Sequence, residues 1–578
     1  MRLFLFTDMA ILQPLVDLAA ICYAQGIRHV VVSPGSRSAA LTLAFTRFGR
    51  FTLHVCMDER SAGFLGLGIA QQTGVPVVLI CTSGSAVYNY APAVSEAFFQ
   101  QIPLVVISAD RPKEWLHQYD GQTIYQSEIF GKHIKRSFEF SADYAHADVQ
   151  WAINRMSNEA VTLAATVPAG PVHINVPIRE PFYPAPGDEM IPSPNLRIIQ
   201  RQSAEKTLAQ EEWNALLDEF EDCPKILIAA GQQMPDQELS DVLNKISEEW
   251  DIPVLADHIA NISGAKIIRN HDLFLGGSDV EQLAPDLLIT FGLSFISKDF
   301  KQFIRKNPPK LHWHIGEDTF LADPTQSLTR TIPVNPRYFF KNLFEKLDYQ
   351  LFVQNSDPET DSAYLRRFAS SDASAASTRD KYLKNLSLIS DLTSLDLLFK
   401  YTNNNFQLHV ANSMSIRYVN LLDLGSRVNG VFCNRGTSGI DGCVSTAIGA
   451  ALVNGQDTLL IVGDVAFMYD RNGLLINSLP QNLKIVVINN AGGNIFRMID
   501  GPSGLPEIET YFETRHALSA RRTCEDSGIA YFSCNEIETM DTAINAFLEN
   551  KGISLLEIFT DPYENERVWK ALKKLGKE

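Results

Sequence analysis

The sequence predicts an α/β fold of three consecutive parallel-sheet domains, and three observations lead there. Short apolar runs, such as residues 77–80, 104–107, 459–462 and 484–488, recur along the chain at the length of buried strands. Most of them stop at Gly, Ser or Asn, and stretches of helical length separate many of them, which is the alternation of a parallel sheet with crossover helices. The chain has 578 residues, 45% hydrophobic and 20% charged, enough apolar material for several cores.

The first domain is expected over residues 1–185. An amphipathic helix from about Ala10 to Ala24 precedes a strand at 29–32, which enters Ser33-Pro34-Gly35-Ser36-Arg37-Ser38. Pro34 and Gly35 force a turn, and the serines with Arg37 offer donors to an anion. A helix cap beside a surface arginine is the alternative. A strand at 52–57 leads to Asp58-Glu59-Arg60, opening a helix through 61–70 whose small residues permit close packing. Asp58 reads as its cap, whereas Glu59 is kept as a chemical candidate. Strands at 77–80 and 104–107 deliver Cys81-Thr82-Ser83-Gly84-Ser85-Ala86 and Ser108-Ala109-Asp110-Arg111-Pro112 to loops. A helix at 151–165, a strand at 172–176 and a proline-rich linker at 181–194 complete the domain.

The middle domain, 186–355, repeats the alternation at 225–231, 253–256, 286–292 and 311–315. His312 and His314 share a strand face, but no third ligand stands at metal spacing. Gly231 and Gly276-Gly277 lack the G-x-G-x-x-G context of a nucleotide site. A Ser/Asp/Ala-rich stretch from Ser356 to Ser377 reads as flexible, and 356–395 as linker and lead-in. The third domain, 396–578, has a strand at 407–410 entering Ala411-Asn412-Ser413-Met414-Ser415-Ile416-Arg417. Another at 431–433 enters Asn434-Arg435-Gly436-Thr437-Ser438-Gly439-Ile440-Asp441-Gly442. The runs at 459–462 and 484–488 end in Gly463-Asp464 and Asn489-Asn490-Ala491-Gly492-Gly493, and a last strand lies at 555–559.

A formal charge of −17 argues against nucleic acid as a partner, so any anionic substrate must be met by local cations. The eight cysteines are scattered, form no C-x-x-C pair and read as reduced core residues, which suits the cytoplasm. No apolar run approaches the roughly eighteen residues of a membrane span, and Asp8, Pro14 and Asp17 break the stretch at 3–24. Neither an anchor nor a signal peptide is expected there.

The chemistry concentrates at the two ends of the 459–490 stretch. The Asp464 carboxylate, the Asn490 amide oxygen and the Gly492 carbonyl emerge at one carboxyl edge, where open α/β sheets bind ligands. With diphosphate oxygens and water they make the hard-oxygen set that Mg²⁺ requires. Two ordinary loops of a Rossmann-like sheet are the alternative reading.

Order and spacing resemble the thiamine diphosphate motif, which runs from Gly-Asp-Gly to Asn-Asn, with Val465 in the third place instead of glycine. Five stretches together resemble the menaquinone-pathway synthase family of thiamine diphosphate-dependent enzymes, in which a non-glycine follows Gly-Asp. They are Ser33 to Ser38, Asp58-Glu59-Arg60-Ser61-Ala62, Ser108 to Pro112, Asn434 to Gly442, and Gly463-Asp464-Val465 through Asn490-Ala491-Gly492-Gly493-Asn494-Ile495-Phe496.

The resemblance implies the fold of the decarboxylase/synthase type, with a pyrimidine-binding first domain, a central domain without cofactor and a diphosphate-binding third domain. It implies a transferase that decarboxylates 2-oxoglutarate and adds the succinyl carbanion equivalent to isochorismate in a 1,4 sense. Glu59 is then the catalytic group, hydrogen-bonded to the aminopyrimidine N1′. Cofactor contacts fall to Glu59, Ser83, Gly84, Gly463, Asp464, Asn490, Gly492, Ile495 and Phe496. Asp464, Asn490 and Gly492 carry Mg²⁺ or Mn²⁺. Substrate carboxylates fall to Ser36, Arg37, Arg111, Gln122, Lys298, Ser413, Arg417 and Arg435, with Ile495 and Phe496 packing nearby; ordinary core is the alternative for those two. Asp299 departs from the basic residue the resemblance leads one to expect. A cytoplasmic homodimer or dimer of dimers is implied, with no nucleic acid and no stable membrane insertion. An acetohydroxyacid-type synthase acting on pyruvate, and a cofactor-binding scaffold without turnover, are the rival classes.

Overall fold

The computed structural model describes residues 12–180, 182–184, 187–317, 320–347, 358–402, 405–499 and 501–577. Ala10, Pro181 and Ser356, named above as element or linker ends, lie outside the described residues. Three six-stranded sheets form, and every pairing within them is parallel.

The first sheet holds β1 (His29–Val32), β2 (Thr52–Val55), β3 (Val77–Cys81), β4 (Leu104–Asp110), β5 (Ser137–Glu139) and β6 (Val172–Pro177), in the order β2-β1-β3-β4-β6-β5. The second holds β7 (Ile226–Ala230), β8 (Val254–Ala256), β9 (Ile267–Ile268), β10 (Leu287–Phe291), β11 (Leu311–Ile315) and β12 (Arg330–Ile332), ordered β12-β11-β10-β7-β8-β9. The third holds β13 (Phe406–Val410), β14 (Val428–Phe432), β15 (Thr458–Gly463), β16 (Leu483–Asn489), β17 (Ala530–Cys534) and β18 (Ser554–Phe559), ordered β14-β13-β15-β16-β18-β17. The outer sheets thus share one strand order, and in each the order reverses beside the first strand, opening a crevice at the carboxyl edge. The middle sheet has the order of dinucleotide folds. The loop after β7 is instead spent on packing, where Gln232 donates to the Cys433 carbonyl at 2.9 Å and to Gln100 at 3.0 Å.

Central strands such as β3, β4, β7, β10 and β16 are buried at every position, which is why they read as unbroken apolar runs. The strands the pattern does not announce, β5, β9, β12 and β17, all lie at sheet edges. They are short or half-exposed, and an edge strand needs little apolar signal.

One expectation is corrected. The Ser/Asp/Ala-rich stretch is not flexible over its described part but lies in a 27-residue helix, Pro358–Lys384. Tyr364, Phe368, Ala375, Arg379 and Leu383 recur at helical spacing and are all buried, while serine and alanine between them cost a helix little. Tyr364 donates to the Leu283 carbonyl at 2.9 Å, and Arg379 to Asn270 at 2.7 Å and to the Leu421 carbonyl at 2.8 Å. This helix therefore joins the second sheet to the third.

The outer domains meet through the helices Glu59–Thr73 and Cys443–Ala451. A Cβ on Gly68 would stand 2.1 Å from the Thr446 carbonyl oxygen, and one on Gly449 would stand 2.1 Å from that of Leu65. Only glycine lets the two backbones approach this closely.

Candidate active site

β15 ends at Gly463, which pairs in register with Ile488 of β16, so Asp464 and the 489–493 loop emerge side by side. Asp464 is buried. Its Oδ2 accepts from the Gly492 N–H at 3.0 Å, and its Oδ1 from the Val465 N–H at 2.7 Å. His516 Nε2 lies 3.4 Å from Oδ2, and the carboxylate raises the imidazole pKa. Asn490 turns its Nδ2 onto Asp391 Oδ2 at 2.9 Å and leaves its own Oδ1 buried without a partner. Burial lifts the Asp391 carboxyl to about 6, although Thr560 (2.6 Å), Asn490 and Asn565 (2.7 Å) all donate to it. Between these groups Ala491 holds φ +62°, a left-handed conformation that costs a non-glycine residue roughly 1 kcal/mol or more.

An orphaned amide oxygen next to a buried carboxylate is a cation site in outline, since a buried acceptor without a donor is otherwise unfavourable. Among the described residues no cluster of three His, Cys, Asp or Glu groups could hold an ion by itself. The residues present therefore fit a divalent ion that takes its remaining oxygens from a bound diphosphate.

Glu59 is the first residue of its helix, but the cap belongs to Asp58, whose Oδ1 accepts from Arg60 N–H at 2.9 Å and Ser61 N–H at 3.3 Å. The Glu59 carboxylate is left facing an open cleft of about 530 Å³ with Met57, Asn89, Asn472 and Leu475, and Asn89 donates to it at 3.4 Å. The third domain forms one wall. Arg60 donates to the Tyr469 carbonyl at 2.6 Å, Asn472 to Asp58 at 2.8 Å, and Ser61 to Asp470 at 3.3 Å.

Around the first-sheet crevice stand Ser36, Arg37, Ser83, Gly84, Arg111 and Gln122. The Arg37 N–H donates to Thr82 Oγ1 at 3.2 Å, which pins the β1 loop against the β3 loop. The Arg37 guanidinium is buried against Phe182, with Glu180 at 3.2 Å, and burial and Arg111 together lower its pKa. Ser36 donates to Gln122 at 3.4 Å. Gly84, at φ +85°, lies against the Gln122 backbone and donates to Gln126 at 2.9 Å, while the Ser83 hydroxyl is buried without a partner. Arg111 pairs with Asp120 at 2.9 Å and keeps a buried Nε with no acceptor.

A second cationic group forms where the middle domain meets the third. Ser413, strained at φ +70°, begins the helix Met414–Leu421 that carries Arg417. Among the described residues the Arg417 guanidinium makes no hydrogen bond or ion pair; burial and Arg435 lower its pKa, opposed by Asp272, Asp257 and Asp299. Arg435 donates to Asn412 at 3.1 Å, and its Nε is buried without a partner. Its loop is held by Glu96 of the first domain, which accepts from Gly436 N–H (2.7 Å), Thr437 N–H (2.7 Å) and Thr437 Oγ1 (2.5 Å). Lys298 is exposed at the start of the helix Lys298–Lys306. Ile495 packs partly against the core, and Phe496 stands edge-on to Phe512 at 5.5 Å.

Residues 16–134 match the family description "Thiamine pyrophosphate enzyme, N-terminal TPP binding domain", and residues 425–558 match "Thiamine pyrophosphate enzyme, C-terminal TPP binding domain". A Cytophaga hutchinsonii protein named 2-succinyl-5-enolpyruvyl-6-hydroxy-3-cyclohexene-1-carboxylate synthase is 42% identical over 97% of this chain and 99% of its own. The chain belongs to this synthase family. Synthases of the same name from Flavobacterium psychrophilum, at 36% identity over 96% of both chains, and from Flavobacterium johnsoniae, at 35% over 98% of this chain and 99% of the relative, agree.

Within the synthase family frame, Asp391, His516 and Glu96 stand at the site without a sequence signal that singles them out. Asp391 opens a helix after Ser390 and reads as first-turn chemistry. Glu96 sits in the apolar helix Ala91–Gln100, where a lone acid in a buried stripe is the one available clue.

Proposed function

We propose that this protein is a thiamine diphosphate-dependent synthase of menaquinone biosynthesis. It decarboxylates 2-oxoglutarate and joins the succinyl unit to isochorismate by 1,4-addition, releasing CO₂. The observation that carries this reading is the half-buried Arg417 guanidinium, partnerless among the described residues and beside Arg435, in a chain whose outer domains match cofactor-binding families. Two cations, neither of which has an ion-pair partner among the described residues, are set to receive an anion.

Thiamine diphosphate, when bound, supplies the electron sink on which a 2-oxo acid can lose CO₂. Asp464, Asn490 Oδ1 and the Gly492 carbonyl would hold Mg²⁺ or Mn²⁺, and through it the diphosphate. Glu59, relieved of capping by Asp58, would hydrogen-bond the aminopyrimidine N1′ and hold a proton there. Ser83 and Gly84 would border the cofactor, and Ile495 and Phe496 would give it or the substrate an apolar wall. Arg417, Arg435 and Ser413 would take carboxylates at one side, and Ser36, Arg37, Arg111 and Gln122 at the other. Lys298 would contribute a more distant charge.

Glu59 and Asp464 belong to different domains, and Met57, Tyr469 and Leu475 beside the Glu59 cleft are well exposed. A homodimer, with each site shared between the first domain of one copy and the third domain of another, would cover them. A dimer of dimers is compatible. No helix among the described residues is long and apolar enough to cross a membrane, and we place the enzyme in the cytoplasm.

The deciding experiment offers each 2-oxo acid with and without isochorismate and identifies products by mass. CO₂ release from 2-oxoglutarate that accelerates with isochorismate supports the reading. Preferred use of pyruvate, with isochorismate inert, moves the chain to the acetohydroxyacid-type class, and no turnover of any 2-oxo acid to the scaffold class.

A further inference from the structure

The helix Lys298–Lys306 resolves what Asp299 does and where a compensating charge stands. Asp299 Oδ2 lies 2.8 Å from Lys573 Nζ and 3.9 Å from Lys577 Nζ, both near the C-terminus, and Lys573 also reaches Asp272 Oδ2 at 3.0 Å. Asp299 is thus spent on docking the C-terminal helix Pro562–Leu575 against the middle domain. Lys301 lies three residues after Lys298, on the same side of the helix. Its ammonium donates to the Phe295 carbonyl at 3.2 Å and has no carboxylate in ion-pair reach among the described residues. Burial lowers its pKa, and Arg435, Arg417 and Arg305 add to this by repulsion.

Asp257 is the acid that opposes this repulsion, and it is already committed. It accepts from Ile296 N–H at 2.6 Å and Asn420 at 2.8 Å, and His271 stands at 3.2 Å. Ser294, next to the Phe295 carbonyl that holds the Lys301 ammonium, donates its Oγ to the Arg435 carbonyl at 3.4 Å, so Lys301 stands beside the loop that carries Arg435. Neither these two cations nor Arg417 has an ion-pair partner among the described residues. Such an arrangement is unfavourable until an anion enters.

We propose that Lys301 is a substrate-carboxylate contact that completes a three-cation site with Arg417 and Arg435, in place of a basic residue at position 299. The assignment rests on the functional reading above. It adds Lys301 to the exposed, more distant Lys298 as the middle domain's contribution to substrate binding.

The test uses the holoenzyme. Lys301→Met keeps the length and apolar stem of lysine and removes its charge. It is expected to raise KM for 2-oxoglutarate or isochorismate roughly 10- to 100-fold, the value of one charge-assisted contact. Thermal stability and thiamine diphosphate affinity should be unchanged, and Lys301→Arg should recover most of the loss. Independently, succinate, a dicarboxylate that cannot react, should protect Lys301 from acetic anhydride in the wild type, read by mass spectrometry against chloride at equal ionic strength. An unchanged KM in a folded Lys301→Met protein, or absence of protection by succinate, overturns the proposal, and protection alone decides if the variant does not fold. Protection without any turnover of 2-oxoglutarate leaves the anion site standing and refutes the functional reading instead.

Discussion

Glu96→Gln asks whether a first-domain carboxylate sets the geometry of the Arg435 loop. The carboxylate accepts from Gly436 N–H, Thr437 N–H and Thr437 Oγ1, and Gln100 Nε2 donates to it at 2.5 Å. Four donors converge on two oxygens, so an amide, which has one acceptor oxygen and brings two N–H groups of its own, must set a donor against a donor. Breaking one charge-assisted hydrogen bond costs about 1.5–3 kcal/mol, and exposed Thr437 can recover part of this from water. The net expectation is about 1.5–2 kcal/mol, a shift of roughly 10- to 30-fold against the held loop. KM for the anionic substrate should rise by that factor and amide exchange at Gly436 and Thr437 should quicken in parallel, with cofactor affinity nearly unchanged. A folded Glu96→Gln protein with wild-type exchange at both amides and wild-type KM would refute the reasoning, because the loop would then be held without the carboxylate.

Asp464→Ala should abolish thiamine diphosphate binding at micromolar concentrations, and calorimetry in the wild type should show that binding depends on a divalent ion; equal affinity in chelator removes the metal assignment. Glu59→Gln should fold and bind cofactor yet lose roughly 10²- to 10⁴-fold in turnover, with slowed exchange of the cofactor C2 proton in D₂O. Mixing the Glu59→Gln and Asp464→Ala chains should restore activity through hybrid sites, and no recovery after verified subunit exchange counts against a shared site. Burial pushes the Asp470 carboxyl from 3.8 up to about 6, so the folded state binds its proton more tightly than the unfolded chain does. Stability is therefore lost as pH rises from about 4 to about 6, by roughly 3 kcal/mol at about 1.4 kcal/mol per unit. Asp470→Asn can still accept from Ser445 N–H and donate to the Ser445 and Ser61 hydroxyls, so its melting temperature should exceed that of the wild type at pH 8 and lose that advantage near pH 4.

The central strands were legible because burial on both faces writes itself as an unbroken apolar run, and the Gly463 and Asn489 loops because a strand must stop where they begin. The helix Pro358–Lys384 is hidden in the sequence for the converse reason. Its buried positions, Tyr364, Phe368, Ala375, Arg379 and Leu383, are spaced among serine and alanine, which read as linker when counted by composition and as helix when counted by period. At the site, the residues that hold ligand-facing groups in place left no trace in local sequence. Glu96 acts on Gly436 across 340 positions, and Asp391 on Asn490 across 99, so neither spacing nor motif could join them. Nothing in local sequence separates Lys301 from Lys298, because which face of that helix turns inward is decided by packing of Phe300, Phe303 and Ile304.

The arrangement also explains why the site needs all three domains of one chain before any second copy is considered. Gly68 and Gly449 fix the distance between the outer sheets, so the 469–477 segment following the Asp464 helix reaches Asp58 and Arg60 beside Glu59. Glu96 and Gln100 then fasten the Arg435 loop from the first domain, while Gln232 fastens the same loop from the middle domain through the Cys433 carbonyl. Arg417 is placed by the third domain alone, and its acidic surroundings, Asp257, Asp272 and Asp299, come from the middle domain. The central domain thereby sets the charge balance around the cations that would receive substrate. Changes at Asp272 or Asp299 should accordingly alter substrate KM before they alter cofactor binding, whereas changes at Asp391 should do the reverse, since Asp391 touches Asn490 and not the cationic group.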